Sequence, residues 1–173
     1  MASNKAQAAF VALNIAVVTV SDTRTEENDT SGAYLQKELI DAGHRLAEKH
    51  ICKDDIYRLR ALIANLVADS SIHAVLVTGG TGFTRRDNTV AAIKPLFDAS
   101  IDGFGELFRA LSYQEIGSST IQSRAFAGLS NDTAIFCMPG STGACKTAWT
   151  GIIAEQLNSQ HKPCNFVGLI TDD

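Results

Sequence analysis

An apolar run with two β-branched residues, Ala74-Val75-Leu76-Val77, passes within one residue into Thr78-Gly79-Gly80-Thr81-Gly82, and Arg85, Arg86 and Asp87 follow after Phe83-Thr84. The run is what a strand buried on both faces of a parallel sheet requires. Glycines at 79, 80 and 82 let backbone amides approach an anion with no Cβ in the way, and Thr78 and Thr81 add hydroxyl donors. The arginines bring positive charge. Asp87 is a carboxylate able to ligate a hard cation such as Mg²⁺ or to orient a reacting group. The spacing is neither that of a Walker A loop nor the G-x-G-x-x-G of dinucleotide-binding folds. Taken alone, the same loop also suits a plain strand-to-helix connection.

The 173 residues suffice for one domain with a sizeable core, placed at 12–173, and a hydrophobic content of 45% suits a globular chain. Residues 1–11 read as a flexible or loosely docked arm with no apolar core of a signal peptide. Nowhere are there 18 consecutive apolar residues, so no membrane span is expected. The net charge of −4, with no Lys/Arg cluster longer than a pair, argues against nucleic acid as a partner. Cys52, Cys137, Cys145 and Cys164 lie far apart without C-x-x-C spacing, which fits a reducing, cytoplasmic setting. His161 and Cys164 have no second pair of metal ligands nearby, so no metal is expected there.

Leu13 to Val20 reads as a first buried strand ending at Ser21-Asp22. Asp29, Thr30 and Ser31 are candidates to cap a helix carrying Leu35, Leu39 and Ile40 and stopped by Gly43. Arg45 to Lys53 is a more polar strand suited to an outer position, with His50 at the surface. Asp54-Asp55 open an amphipathic helix through Ile56, Leu59, Ile63, Leu66 and Val67; Asp54 is placed equally well to cap that helix or to serve a site. A short helix over Val90 to Phe97 is expected to end near Pro95, and a second covers Ile101 to Tyr113, with Glu106 and Arg109 as a solvated ion pair. Gln114 to Gly128 is assigned as helix. Thr133 to Met138 is another buried strand, leading through Pro139-Gly140-Ser141-Thr142-Gly143 into a helix with Ala148, Trp149, Ile152 and Ile153 inward. The segment from Asn165 to Asp173 is expected to dock as an edge strand or to contact another subunit.

Alternating strands and helices imply a three-layer α/β/α domain with a mostly parallel sheet. In such a sheet the strand C-terminal ends share one edge, where ligands bind. Ser21-Asp22, Lys53-Asp54, Thr78 to Asp87 and Pro139 to Ser141 are thereby brought together. Asp54 and Asp87, with a glycine cradle and two arginines, are the equipment for moving a phosphoryl or nucleotidyl group.

Thr78-Gly79-Gly80-Thr81-Gly82 with Arg86-Asp87-x-Thr89, Gly103-Phe104-Gly105-Glu106-Leu107-Phe108-Arg109, Gln122-Ser123-Arg124-Ala125 and Met138-Pro139-Gly140-Ser141-Thr142 together resemble the MoaB/MogA family of molybdenum cofactor biosynthesis proteins. The likeness runs from about Ile15 to Phe166. Asp29-Thr30-Ser31-Gly32, Ala144-Cys145-Lys146-Thr147-Ala148-Trp149 and Pro163-Cys164-Asn165-Phe166 look like its MoaB branch. The resemblance implies a fold of molybdopterin-binding type, molybdopterin and ATP as partners, a homo-oligomer (trimer or hexamer), and contacts with other enzymes of the pathway. It also implies adenylylation of molybdopterin, in which the terminal phosphate attacks the α-phosphorus of Mg-ATP and pyrophosphate leaves. Asp87 and Asp54 then match the catalytic carboxylates that hold Mg²⁺, with no permanently bound cofactor. Thr78, Gly79, Gly80, Thr81 and Gly82 match the phosphate cradle, and Ser123, Gly140 and Ser141 match pterin or phosphate contacts. Where the family commonly continues Asp-x-Thr-Pro-Glu, this chain has Asp87-Asn88-Thr89-Val90-Ala91. A non-catalytic molybdopterin-binding or assembly oligomer is therefore the alternative expectation.

Overall fold

The computed structural model describes residues 9–171. In chain order the strands are β1 (Asn14–Val20), β2 (Arg45–Cys52), β3 (Ala74–Thr78), β4 (Ala99–Ser100), β5 (Phe126–Ser130) and β6 (Thr133–Met138). The helices are α1 (Thr30–Asp41), α2 (Ile56–Ala68), α3 (Thr89–Ile93), α4 (Asp102–Ile116), α5 (Thr142–Ala148), α6 (Ala154–Gln156) and α7 (Val167–Ile170). A π-helical turn, Trp149–Ile153, carries α5 into α6.

The six strands form one sheet in the order β2-β1-β3-β6-β5-β4. β1 runs parallel to β2 and β3, and β3 parallel to β6, whereas β5 is antiparallel to both β6 and β4. The sheet is mostly parallel, as expected, and polar β2 takes the expected edge.

Side chains alternating along the central strands split the core in two. Ile15, Val17, Leu76 and Phe136 face α1, α4 and α5, joining Leu35, Leu39, Phe104, Phe108 and Trp149. Ala16, Val18, Val75, Val77 and Ile135 face α2 and α3, joining Leu59, Ile63, Leu66 and Ile93. Two such layers, in which each fully buried large apolar side chain contributes about 1.5–3 kcal/mol, make β1, β3 and β6 the rigid part of the molecule. Their C-terminal ends are correspondingly fixed.

Asp29 caps α1, its Oδ1 accepting from the Gly32 amide at 2.9 Å, so it caps that helix as one of the expected candidates. The helix stops at Gly43, where the His44 amide donates to the Leu39 carbonyl at 3.0 Å. The short helix ends near Pro95 as expected, α3 passing at Ile93 into a 3-10 turn, Lys94–Leu96, that holds the proline. Three expectations need correction. The Gln114 to Gly128 stretch is not one helix: α4 runs on to Ile116, a 3-10 turn covers Gly117–Gln122, and Phe126–Ser130 is strand β5. The C-terminal segment forms α7, not an edge strand, with Val167 and Ile170 buried in the core. Arg109 donates to the Ala125 carbonyl at 3.1 Å instead of pairing with Glu106.

Of the expected arm, residues 1–8 lie outside the described residues. Residues 9–11 are tied to the domain by Ser159, whose hydroxyl donates to the Ala9 carbonyl at 3.1 Å and accepts from the Val11 amide at 2.9 Å. Among the described residues, no helix is long and apolar enough to cross a membrane.

Candidate active site

β3 ends at Thr78 and the chain turns sharply: Gly79 and Gly80 take φ of +105° and +65°. A side chain at Gly79 would strike the Val20 carbonyl, and one at Gly80 would strike the Thr89 hydroxyl and come within 2.8 Å of Asp54 Oδ2. The turn is closed from behind by Thr89, which donates from its hydroxyl to the Gly79 carbonyl at 2.8 Å and from its amide to the Gly80 carbonyl at 3.0 Å. Among the described residues, neither the Gly80 nor the Thr81 amide donates to a protein group. Successive free amides beside left-handed residues form an anion-binding concavity.

The two residues belong to the wall of a cavity of about 450 Å³, lined by Gly79, Gly80, Thr81, Gly82, Asp87, Ser123, Gly140 and Ser141, with Phe108, Ser112, Gln122 and Ala144 among the remaining walls. Eight of the ten residues singled out in the sequence thus share one wall system. The second glycine-bearing loop is fixed from the other side: the Ser31 hydroxyl donates to the Gly140 carbonyl at 3.0 Å, and Ser141 caps α5, its Oγ accepting from the Ala144 amide at 3.1 Å.

The other two residues sit behind the lining. Thr78 is fully buried and its hydroxyl donates to the Pro139 carbonyl at 3.0 Å, so it joins the two loops instead of offering a donor to the cavity. Asp54 is also buried. The cap of α2 is Asp55, whose Oδ1 accepts from the Tyr57 and Arg58 amides, while Asp54 Oδ1 accepts from the Asn88 amide at 2.9 Å. Asp54 therefore braces the far end of the glycine-rich loop and does not cap the helix.

The two carboxylates differ electrostatically. Burial pushes the Asp54 carboxyl above its ordinary range, against the hydrogen bonds from Asn88, and the nearby Asp87 and Asp22 push the same way. For Asp87, burial acts upward too, but hydrogen bonds from Thr84 and Gly82, with the Arg124 charge, outweigh it and hold the carboxyl below its ordinary range. Asp87 is the ionised group facing the cavity. Arg86 does not reach toward the ligand space: it pairs with Asp22, its Nε donating at 3.0 Å. The Cys145 thiol beside Thr78 is pushed up to about 11 by burial and stays an unreactive packing group.

Asp87 fits a cation that arrives with phosphate. No cluster of three or more His, Cys, Asp or Glu exists among the described residues, and Mg²⁺ sites of that kind use one or two carboxylates plus phosphate oxygens. Asp54, with one oxygen committed to Asn88, can offer only the other.

Arg124, which the sequence offers only inside the Gln122-Ser123-Arg124-Ala125 motif and without a role, is a further functional residue. Its Nε donates to the Thr81 carbonyl at 3.2 Å and one Nη to the Asp87 carbonyl at 3.0 Å and to the Gly82 carbonyl, with the Phe83 ring 4.8 Å from its guanidinium carbon. It lies between this cavity and a second one of about 550 Å³, lined by Lys94, Phe97, Arg109, Ile121 and Phe126 and sharing Ser123. Nothing in the spacing of Arg124 from the glycine-rich loop marks it; the hairpin of β5 and β6 brings it there.

Residues 16–159 match a family model described as a probable molybdopterin binding domain. Over 157 residues the chain is 52% identical to molybdenum cofactor biosynthesis protein B of Escherichia coli (strain K12), covering 91% of this chain and 92% of that protein. A crystal structure of molybdenum cofactor biosynthesis protein B superposes with a TM-score of 0.84 and 42% identity, covering 87% of this chain and 94% of the other. The crystal structure of the tungsten cofactor synthesizing protein MoaB from Pyrococcus furiosus does so with a TM-score of 0.76 and 37% identity, covering 83% and 92%.

Proposed function

The chain belongs to the molybdopterin-binding domain family, in its molybdenum cofactor biosynthesis protein B branch, and from that premise we propose that it binds molybdopterin and adenylylates it with Mg-ATP. The observation that carries this is a pair of amides without a protein acceptor, Gly80 and Thr81, in the wall of a cavity that Asp87, held below its ordinary range, also lines. The terminal phosphate of molybdopterin sits on those amides, and the pterin extends into the cavity toward Ser123, Gly140 and Ser141. A phosphate oxygen attacks the α-phosphorus of ATP and pyrophosphate leaves. Asp87, with Asp54 through its free oxygen, would hold Mg²⁺, which when bound would supply neutralisation of phosphate charge. The protein's own part is alignment: β1, β3 and β6 fix the loops, and the committed Thr78, Thr89 and Asp54 leave them one arrangement.

A second reading, pterin binding without turnover, is favoured by α3, whose first turn carries no acidic residue where the family commonly has a carboxylate; Ala91 there is exposed. Pyrophosphate release on mixing the protein with molybdopterin and Mg-ATP separates the two. Release that disappears in folded Asp87→Asn supports adenylylation, and molybdopterin binding with no release supports the binding module.

The same reading includes a homo-oligomer, a trimer or hexamer. The support is the exposed apolar set Leu107, Tyr113, Ile116 and Ile121 on and just after α4. Light scattering at micromolar concentration tests it; a monomer there rejects it.

A further inference from the structure

We propose that Arg124 is a positioning residue that pre-forms the anion cradle by holding the outward-facing carbonyls of the glycine-rich loop. The inference rests on the phosphate-binding reading above and adds what keeps the empty cradle in shape.

A loop that turns consecutive amides toward a ligand must turn carbonyls the other way, and those need donors. Behind the free Gly80 and Thr81 amides those carbonyls are Gly79 and Gly80, held by Thr89; one guanidinium serves the carbonyls that follow, on Thr81, Gly82 and Asp87, while the Arg124 backbone amide gives Thr81 a second bond at 3.2 Å. The planar fork of arginine suits this, because its five N–H donors are fixed in direction, whereas a lysine ammonium is a compact point charge. Phe83 covers the guanidinium on one face, which limits competition from water. Arg124 follows the 3-10 turn Gly117–Gln122 and precedes β5, so it ties the loop after β3 to the antiparallel part of the sheet. The positive charge also lies beside the Asp87 carboxylate and contributes to keeping it ionised. Arg124 thus acts on the ligand through the loop and makes no contact with it.

The positioning role can be tested in the ligand-free protein. In Arg124→Ala, hydrogen exchange at the Thr84, Asp87 and Thr89 amides, all closed within the loop, should accelerate at least tenfold while amides of β1 and β3 keep wild-type rates. Guanidinium ion at millimolar concentration should restore part of the protection. In binding, Arg124→Ala should weaken molybdopterin at least tenfold and its dephosphorylated form less than twofold. Arg124→Lys, which keeps the charge and the stem, should show most of the same loss and serves if the alanine variant does not fold. Unchanged loop exchange, or equal loss for both pterins with no rescue by guanidinium, would overturn the proposal. Wild-type protein that does not prefer the phosphorylated pterin would instead reject the phosphate-binding reading, and the exchange result would still decide the role of Arg124.

Discussion

Asn88 clasps Asp54 with two hydrogen bonds: its backbone amide donates to Asp54 Oδ1 at 2.9 Å and its side-chain amide donates to the Asp54 carbonyl at 3.0 Å. The clasp joins the end of the glycine-rich loop to the turn after β2. Asp22 extends it, accepting from the Asp54 amide at 3.3 Å and from Arg86. The ends of β1, β2 and β3 are thereby linked by side chains as well as by the sheet.

Asp54→Asn retains an acceptor for the Asn88 amide but removes a carboxylate whose burial disfavours its charge. Because the folded state raises this pKa above 3.8, the wild-type group favours folding most below that value and loses the advantage as pH rises through the raised folded value. Thermal melts should therefore show the variant gaining on wild type between acid and neutral pH. The same variant should lose pyrophosphate release at neutral pH.

Gly80→Ala forces a side chain into a left-handed conformation against Thr89 and Asp54. Urea denaturation should show a loss of about 1–3 kcal/mol. Molybdopterin binding should fall with it, because relief of the clash turns the Gly80 and Thr81 amides out of line.

Thr89→Val keeps the shape of the α3 start but leaves the Gly79 carbonyl without its hydroxyl donor in a fully buried position. The expected cost is about 1–3 kcal/mol, read from the denaturation midpoint at unchanged slope.

Phe136 lies on β6 with its ring edge-on to Phe104, centroids 5.3 Å apart, and to Phe166 at 6.3 Å. Phe136→Ala should cost about 3–5 kcal/mol in equilibrium unfolding. Since Phe104 belongs to α4, which also supplies Phe108 to the cavity wall, binding should weaken beyond the loss of folded protein.

The parallel half of the sheet was legible because its strands obey simple rules. Leu13 to Val20 and Thr133 to Met138 are apolar on both faces, and Ile56, Leu59, Ile63, Leu66 and Val67 mark a helix by their spacing. β5 was not legible by the same rules: Phe126-Ala-Gly-Leu-Ser has no β-branched residue, and Gly128 is there because the Phe97 ring occupies the space of a side chain. Its signal was the turn. Asn131 and Asp132, both at positive φ, form the two-residue connection from Ser130 to Thr133, the chemistry of a tight hairpin. Missing that hairpin also hid the role of Arg124, which acts on backbone carbonyls brought near only by the fold. Seven residues of the cavity lining were legible because loops at one sheet edge must meet, and Ser123 only through the family resemblance; Thr78 and Asp54 show that meeting there does not decide which way a side chain is spent.

The most direct test of the site is a titration of isotopically labelled protein with molybdopterin, following backbone amide resonances. The expected result is that the largest shifts fall on Gly80, Thr81 and Gly82 with smaller ones at Gly140 and Ser141. Shifts confined to Ser100, Gly105 and Ala127, which line the larger neighbouring cavity, would contradict it.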